Sequence, residues 1–216
     1  NQAKLQLDNP TFLNKQQVKD AIVLREPNDL RAEIAVELAR QEVELKYPAS
    51  DGYKIRSEVK LLEEIPGFST KKEWELANPG KPSNYIFEKD NKIYQPATDI
   101  DLVVIKQNPK NGLSEIVYLE QIKSGHKDQY IKGKAQMDNS VDILKHIASG
   151  DPTFLINEKR SIYTDTTKEY DLSSIDRAKT VVRGPERRDS VFDKSVGLST
   201  DEMNRLSEQI IKGRNP

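Results

Sequence analysis

Residues 98–125 read TDIDLVVIKQNPKNGLSEIVYLEQIKSG, and the fold turns on how this stretch is read. Its first part, from Ile100 to Ile105, is rich in β-branched residues and reads as a strand. Gln107-Asn108-Pro109-Lys110-Asn111-Gly112 carries both proline and Asn-Gly punctuation and reads as a turn. The second part, from Glu115 to Lys123, reads as another strand, stopped by Ser124-Gly125. Two strands joined by a short turn pair antiparallel. The expected hairpin brings Asp101, near the start of one strand, to Gln121 and Lys123, near the end of the other. Period-two alternation sets Gln121 and Lys123 on one face and turns Glu120 to the other. A carboxylate, an amide carbonyl and an ammonium at one end of a strand pair are the parts of a divalent-cation site with a lysine beside it. Asp99, two residues before Asp101, is a second carboxylate on the same face.

Helical patterns lie on both sides. Proline, Asn28 and Asp29 give a start signal, with Asn28 or Asp29 as cap, and the helix is expected over 28–48. Leu30, Ile34, Ala35, Leu38, Ala39, Val43 and Leu45 form its apolar stripe. Glu33 and Glu37 sit four apart on one face of it. After the core stretch, residues 126–134 read as a polar segment. Residues 135–148 then read as a helix with Met137, Val141, Leu144 and Ile147 at three- and four-residue spacing. Lys127, Lys132 and Lys134 form a local positive group around Tyr130, a candidate phosphate-contacting edge.

These residues carry a resemblance. An Asp on one strand, a turn, then a hydrophobic strand ending Gln121-Ile122-Lys123 resembles the core of the PD-(D/E)xK, or restriction-endonuclease-like, nucleases. Gln121 stands where the commonest pattern has Glu, so its oxygen carries no formal charge. The resemblance implies an α/β fold with a central mixed sheet flanked by helices. It implies metal-dependent phosphodiester hydrolysis, with Mg²⁺, Mn²⁺ or another divalent cation held by Asp101, Glu33 and Gln121. Lys123 is the implied catalytic ammonium, and Asp101, Gln121, Lys123 and Glu33 the implied catalytic set. Glu33 enters because such folds carry a Glu on the helix before the core hairpin.

The rest of the chain is read around that core. Residues 51–97 read as an insertion ending in a hairpin, with Tyr85-Ile86-Phe87 and Lys92-Ile93-Tyr94 flanking Lys89-Asp90-Asn91. Residues 98–149 are the catalytic core, and 150–216 a sheet extension and C-terminal helix, all in one domain. In that extension, residues 154–156, 161–163 and 179–182 read as short strands, and residues 183–189 as a charged loop. Arg183, Arg187 and Arg188 in the loop are a second candidate nucleic-acid contact. Residues 200–212 read as a helix capped by Thr200, and residues 16–24 as a short helix.

Composition limits the chemistry. The 216 residues hold 34 Lys+Arg against 35 Asp+Glu, a net charge of −1, so nucleic acid must be met by a local patch and not by a global field. There is no Cys, and the two His are His126 and His146. Cys-based zinc sites and zinc deaminase motifs therefore lack their ligands. No apolar run reaches the roughly 20 residues of a membrane span. The chain begins at Asn1, not Met. With its compact nuclease-like core it resembles C-terminal toxin domains of bacterial contact-delivered systems. That implies a nucleic-acid substrate (DNA or tRNA), secretion or delivery into a target-cell cytoplasm, and a cognate immunity protein. A stand-alone, cytoplasmic restriction or repair nuclease and a non-catalytic binding module with a lapsed site are the competing readings.

Overall fold

The structure is a computed structural model that describes residues 27–125, 128–159, 162–187 and 191–212. The helix expected over residues 16–24 lies outside them, as do Lys127 and Arg188. The fold is α/β, as expected: a nine-stranded mixed sheet with four helices among the described residues. The helices are α1 (Pro27–Lys46), α2 (Lys71–Ala77), α3 (Asp128–Ala148) and α4 (Thr200–Lys212). The strands are β1 (Tyr53–Glu64), β2 (Phe87–Lys89), β3 (Lys92–Gln107), β4 (Ser114–Ile122), β5 (Phe154–Lys159), β6 (Tyr163–Asp165), β7 (Tyr170–Asp171), β8 (Lys179–Gly184) and β9 (Lys194–Ser195). Their order is β6-β5-β1-β3-β4-β8-β9, with β2 beside β3 and β7 beside β4. Among the described residues no helix is long and apolar enough to cross a membrane.

Two compact units divide the chain. Of the described residues, one takes those up to Lys54, those of 119–137 and those from Thr180 onward; the other takes those of 55–118 and 138–179.

In the second unit the core hairpin forms as read. The Asn108 N–H reaches Leu113 O at 2.8 Å and the Gly112 N–H reaches Asn108 O at 2.8 Å, with Gly112 at φ 74°. The β2–β3 hairpin also forms, with Phe87 opposite Tyr94. Its turn residues Asp90 and Asn91 both take positive φ, 51° and 57°, the geometry that matches strand twist in a two-residue turn. The segment 51–97 is more than an insertion. It supplies β1, an inner strand that pairs antiparallel with β5 through Leu61 opposite Ile156 and Leu62 opposite Leu155. Leu62, Tyr94 and Leu155 close one apolar cluster, and Trp74, Ile86 and Ile93 another. Thr70 and Glu73 form a capping box that starts α2. The strand expected over 154–156 runs on to Lys159, so Asn157 and Glu158 sit buried in β5.

The end of β6 in this unit gives a pH prediction. Asp165 accepts from the Lys89 ammonium and from the Thr167 hydroxyl (2.6 Å) and N–H (2.9 Å). Burial pushes its carboxyl up, but Lys89 and Thr167 pull harder and hold it below the ordinary 3.8. A carboxyl depressed in the folded state gives stability that is present above its unfolded pKa and lost as pH falls through the folded one. Asp165→Asn is therefore expected to lower the urea midpoint at neutral pH, with the gap to wild type closing below about pH 4. A gap that stays constant from pH 7 down to about 3 would show that the Asp165 charge contributes nothing.

In the first unit α1 packs against α4. Leu30, Ile34, Ala35, Leu38, Ala39 and Val43 are buried as read, but Leu45 is 68% exposed. The helix begins at Pro27, where a missing N–H costs nothing, so Asn28 and Asp29 lie within the helix and are not its cap. The cap of α4 is Ser199, not Thr200. The Glu202 N–H donates to Ser199 Oγ (3.2 Å), and the Ser199 N–H donates to Glu202 Oε2 (2.8 Å). This reciprocal pair leaves Thr200 as the first helical residue.

Candidate functional site

The last residues of β4 lie in the first unit and are buried on both faces: Leu119 0%, Glu120 0%, Gln121 2% and Ile122 8% exposed. A strand covered on both sides suits apolar residues, so the two polar side chains in it need an account. Glu120 has one. It accepts from Arg183 Nε of β8, and both side chains are fully buried. Arg183 Nη1 also donates to Glu42 of α1 (2.5 Å) and to the Ser195 carbonyl (2.9 Å), and Lys194 Nζ donates to Glu42 (2.7 Å). Burial works against the Arg183 charge, but the hydrogen bonds and fields of Glu42 and Glu120 outweigh it and raise the guanidinium pKa above its ordinary value. For Glu42, burial pushes the carboxyl up, but Arg183 and Lys194 bring it down overall. Arg183 is thus a core group. The charged loop was expected from residue 183, but β8 runs through Gly184, so Arg183 lies in a strand and contacts no solvent, and residues 185–187 follow it without regular structure.

Gln121 has no such account. Its Oε1 is buried and has no hydrogen-bond partner among the described residues. Two residues on, Lys123 continues the pairing of β4 with β8 through its N–H to Arg183 O (2.9 Å). Its Nζ donates to Gln136 Oε1 of α3 at 2.5 Å. The helix comes close enough for this because residue 133 is glycine. A Cβ there would lie 2.7 Å from Val182 Cγ1 and 3.3 Å from both Cγ and Cε of Lys123. Lys123 faces α3, and by alternation so does Gln121.

Glu33 is half-buried on α1. Glu37 is buried, with its oxygens engaged by Arg40 Nε (2.9 Å), Arg40 Nη2 (2.9 Å) and Gln41 Nε2 (3.0 Å). Asp101 is half-buried on β3, in the second unit. In that unit Thr98 Oγ1 meets Ser140 Oγ of α3 at 3.2 Å, so alternation turns Asp99 and Asp101 to the face of β3 away from Ser140. Gln121 and Lys123 lie in one unit, and Asp101 lies in the other. Helix α3 begins at Asp128, seven residues before the expected start, so the polar segment is its first turns. Lys132 and Lys134 are both exposed on it, but two residues apart on a helix they do not face the same way. The buried face of α3 is Gly133, Met137, Ser140, Ile143 and Leu144, with Val141 and Ile147 only half-buried. The sequence reading missed Gly133 and Gln136. The signal was a glycine three residues before a glutamine, on one helical face, directly after the lysine strand.

A divalent cation needs oxygen donors with unspent lone pairs. Gln121 Oε1 fits that need; Glu37 and Glu120 do not, since arginines hold them. Among the described residues no three His, Cys, Asp or Glu side chains gather as a metal-ligating group. Two buried amide oxygens have no partner there, Gln121 Oε1 and Asn157 Oδ1 of β5, and Gln121 is the one that lies two residues before a lysine, Lys123. No protein-family model, curated protein or solved structure matches this chain.

Proposed function

We propose that the chain is a divalent-cation-dependent nuclease that hydrolyses phosphodiester bonds in DNA or RNA, with Gln121 and Lys123 acting at the substrate. The observation that carries this reading is the buried, unpartnered Gln121 Oε1, two residues before an ammonium held by Gln136. An acceptor left unspent costs about 1–3 kcal/mol. A ligand that uses the oxygen would offset that cost. A Mg²⁺ or Mn²⁺ ion, when bound, polarises the scissile phosphate and lowers the pKa of its water. Gln121 contributes a neutral oxygen toward the cation. Lys123 sets its charge against the phosphate oxygens, where negative charge grows in the transition state. The resemblance alone adds Asp101 and Glu33 as carboxylates and Lys127, Lys132 and Lys134 as phosphate contacts. Delivery as a toxin with a cognate protein inhibitor is proposed on the same resemblance.

The test is incubation with plasmid DNA and with total tRNA, each with Mg²⁺ or Mn²⁺ and with chelator. Cleavage of one substrate, lost in chelator, is expected. Cleavage of neither under any cation would overturn the reading in favour of a binding module.

Gln121→Glu tests the metal role separately. A buried carboxylate is costly unless it is paired or bound to a cation, so the variant is expected to melt lower than wild type in chelator. Mn²⁺ should raise its melting temperature more than it raises that of wild type. Equal shifts in the two proteins would remove Gln121 from the cation's surroundings.

A further inference from the structure

Lys123 is held at both ends of its side chain. Its stem runs across the bare backbone of Gly133, where a Cβ would lie 3.3 Å from Cγ and Cε. Its head donates to Gln136 Oε1 at 2.5 Å. Gly133 and Gln136 are three residues apart and share one face of α3. The helix thus supplies a groove for the methylenes and an acceptor for the ammonium. The chemistry of the acceptor matters. A carboxylate would orient Lys123 but cancel its charge; a neutral amide oxygen orients it and leaves the charge to act on a third group. The Lys123 ammonium has three N–H donors, so one bond to Gln136 leaves two for a phosphate. Holding a flexible four-carbon side chain in place before substrate arrives also removes rotamer entropy that would otherwise be lost during the reaction.

From this geometry we infer that Gln136 is a positioning residue for Lys123, with Gly133 as the bare surface that lets it act. The inference rests on the nuclease reading for its kinetic consequence, but not for its structural one. Gln136→Met keeps the length and helix propensity of the side chain and removes the acceptor. It is expected to lower kcat about 10²-fold, the scale for a misplaced catalytic group, with KM within about twofold of wild type, since binding in the ground state is untouched. Gln136→Glu keeps an oxygen in place and neutralises the ammonium, so it is expected to hold Lys123 yet also lose rate.

The readout independent of cleavage is the acylation rate of Lys123 by an amine-reactive ester, followed by peptide mass spectrometry. Gln136→Met is expected to acylate Lys123 several-fold faster than wild type, and Gln136→Glu no faster. Acylation of Lys123 at the wild-type rate in Gln136→Met would overturn the positioning role, whether or not the chain cuts nucleic acid. Faster acylation in a chain that cuts neither plasmid nor tRNA would support the positioning of Lys123 and sink the nuclease reading alone. A loss in KM with kcat unchanged would place Gln136 in substrate binding and also overturn the inference.

Discussion

Arg183→Met is expected to destabilise the protein by about 3–5 kcal/mol, the cost of removing one partner from a buried ion pair. Arg183 and Glu120 are both fully buried, and the guanidinium also serves Glu42 and the Ser195 carbonyl. Methionine fills much of the same volume, so the loss measures charge and hydrogen bonding more than a cavity. Glu120 is then left buried without its cation, and it either takes up a proton or opens the strand to water. Glu42 fares better, because its side chain is 50% exposed and keeps Lys194. The double variant Arg183→Met, Glu120→Leu removes both buried charges and is expected to be more stable than either single one, since well-packed apolar groups often replace a buried pair without loss. Urea unfolding of the four proteins closes the cycle. A single Arg183→Met variant within about 1 kcal/mol of wild type would mean the pair contributes little. If Arg183 instead met nucleic acid, as the run of arginines in the sequence suggests, the variant would keep its stability and lose only salt-dependent binding.

That contrast shows where the sequence was readable and where it was not. The β3–β4 hairpin was legible because each local preference agrees with it: β-branched runs on both sides and Asn-Gly between them. The β2–β3 hairpin was legible for the same reason, with Asp90 and Asn91 tolerating positive φ. Arg183 was not, because its burial depends on Glu42 and Glu120, 141 and 63 residues away, and no local pattern announces such pairing. The early turns of α3 were missed because Lys132 and Lys134 point to solvent while the packed side is a glycine, which adds nothing to an apolar stripe. The exposed Leu45 fails in the opposite sense: an apolar residue in the last turn of a helix need not be covered. At the candidate site the sequence read Gln121 and Lys123 onto one face by alternation; the structure adds the Lys123 contact to Gln136, which no local pattern announced. Asp101 is different. It is tied to them by the motif, and the structure describes it in the other unit.

On the proposed nuclease reading, Lys123→Ala is expected to leave nucleic-acid binding nearly intact and to slow cleavage about 10²–10³-fold, the usual loss when one preorganised charge-stabilising group is removed. A solvated lysine at a strand end samples many rotamers, and its removal costs almost nothing. Lys123 instead lies over Gly133 and is fixed by Gln136, so its charge is in place before the reaction begins. A fixed charge is worth more against a transition state, where phosphate charge is larger, than against the bound substrate. The loss therefore falls on kcat and not on KM. Alanine also empties the groove on α3, which confuses charge with packing. Lys123→Met keeps the stem over Gly133 and deletes only the ammonium, and it is expected to be as slow as Lys123→Ala but closer to wild type in stability. Cleavage in single-turnover conditions and filter binding in chelator separate the two terms. Should Lys123→Met cut at the wild-type rate, the ammonium has no part in the chemistry. Should it bind far more weakly and cut in proportion, Lys123 is a substrate anchor, and the growing charge must be met by another group.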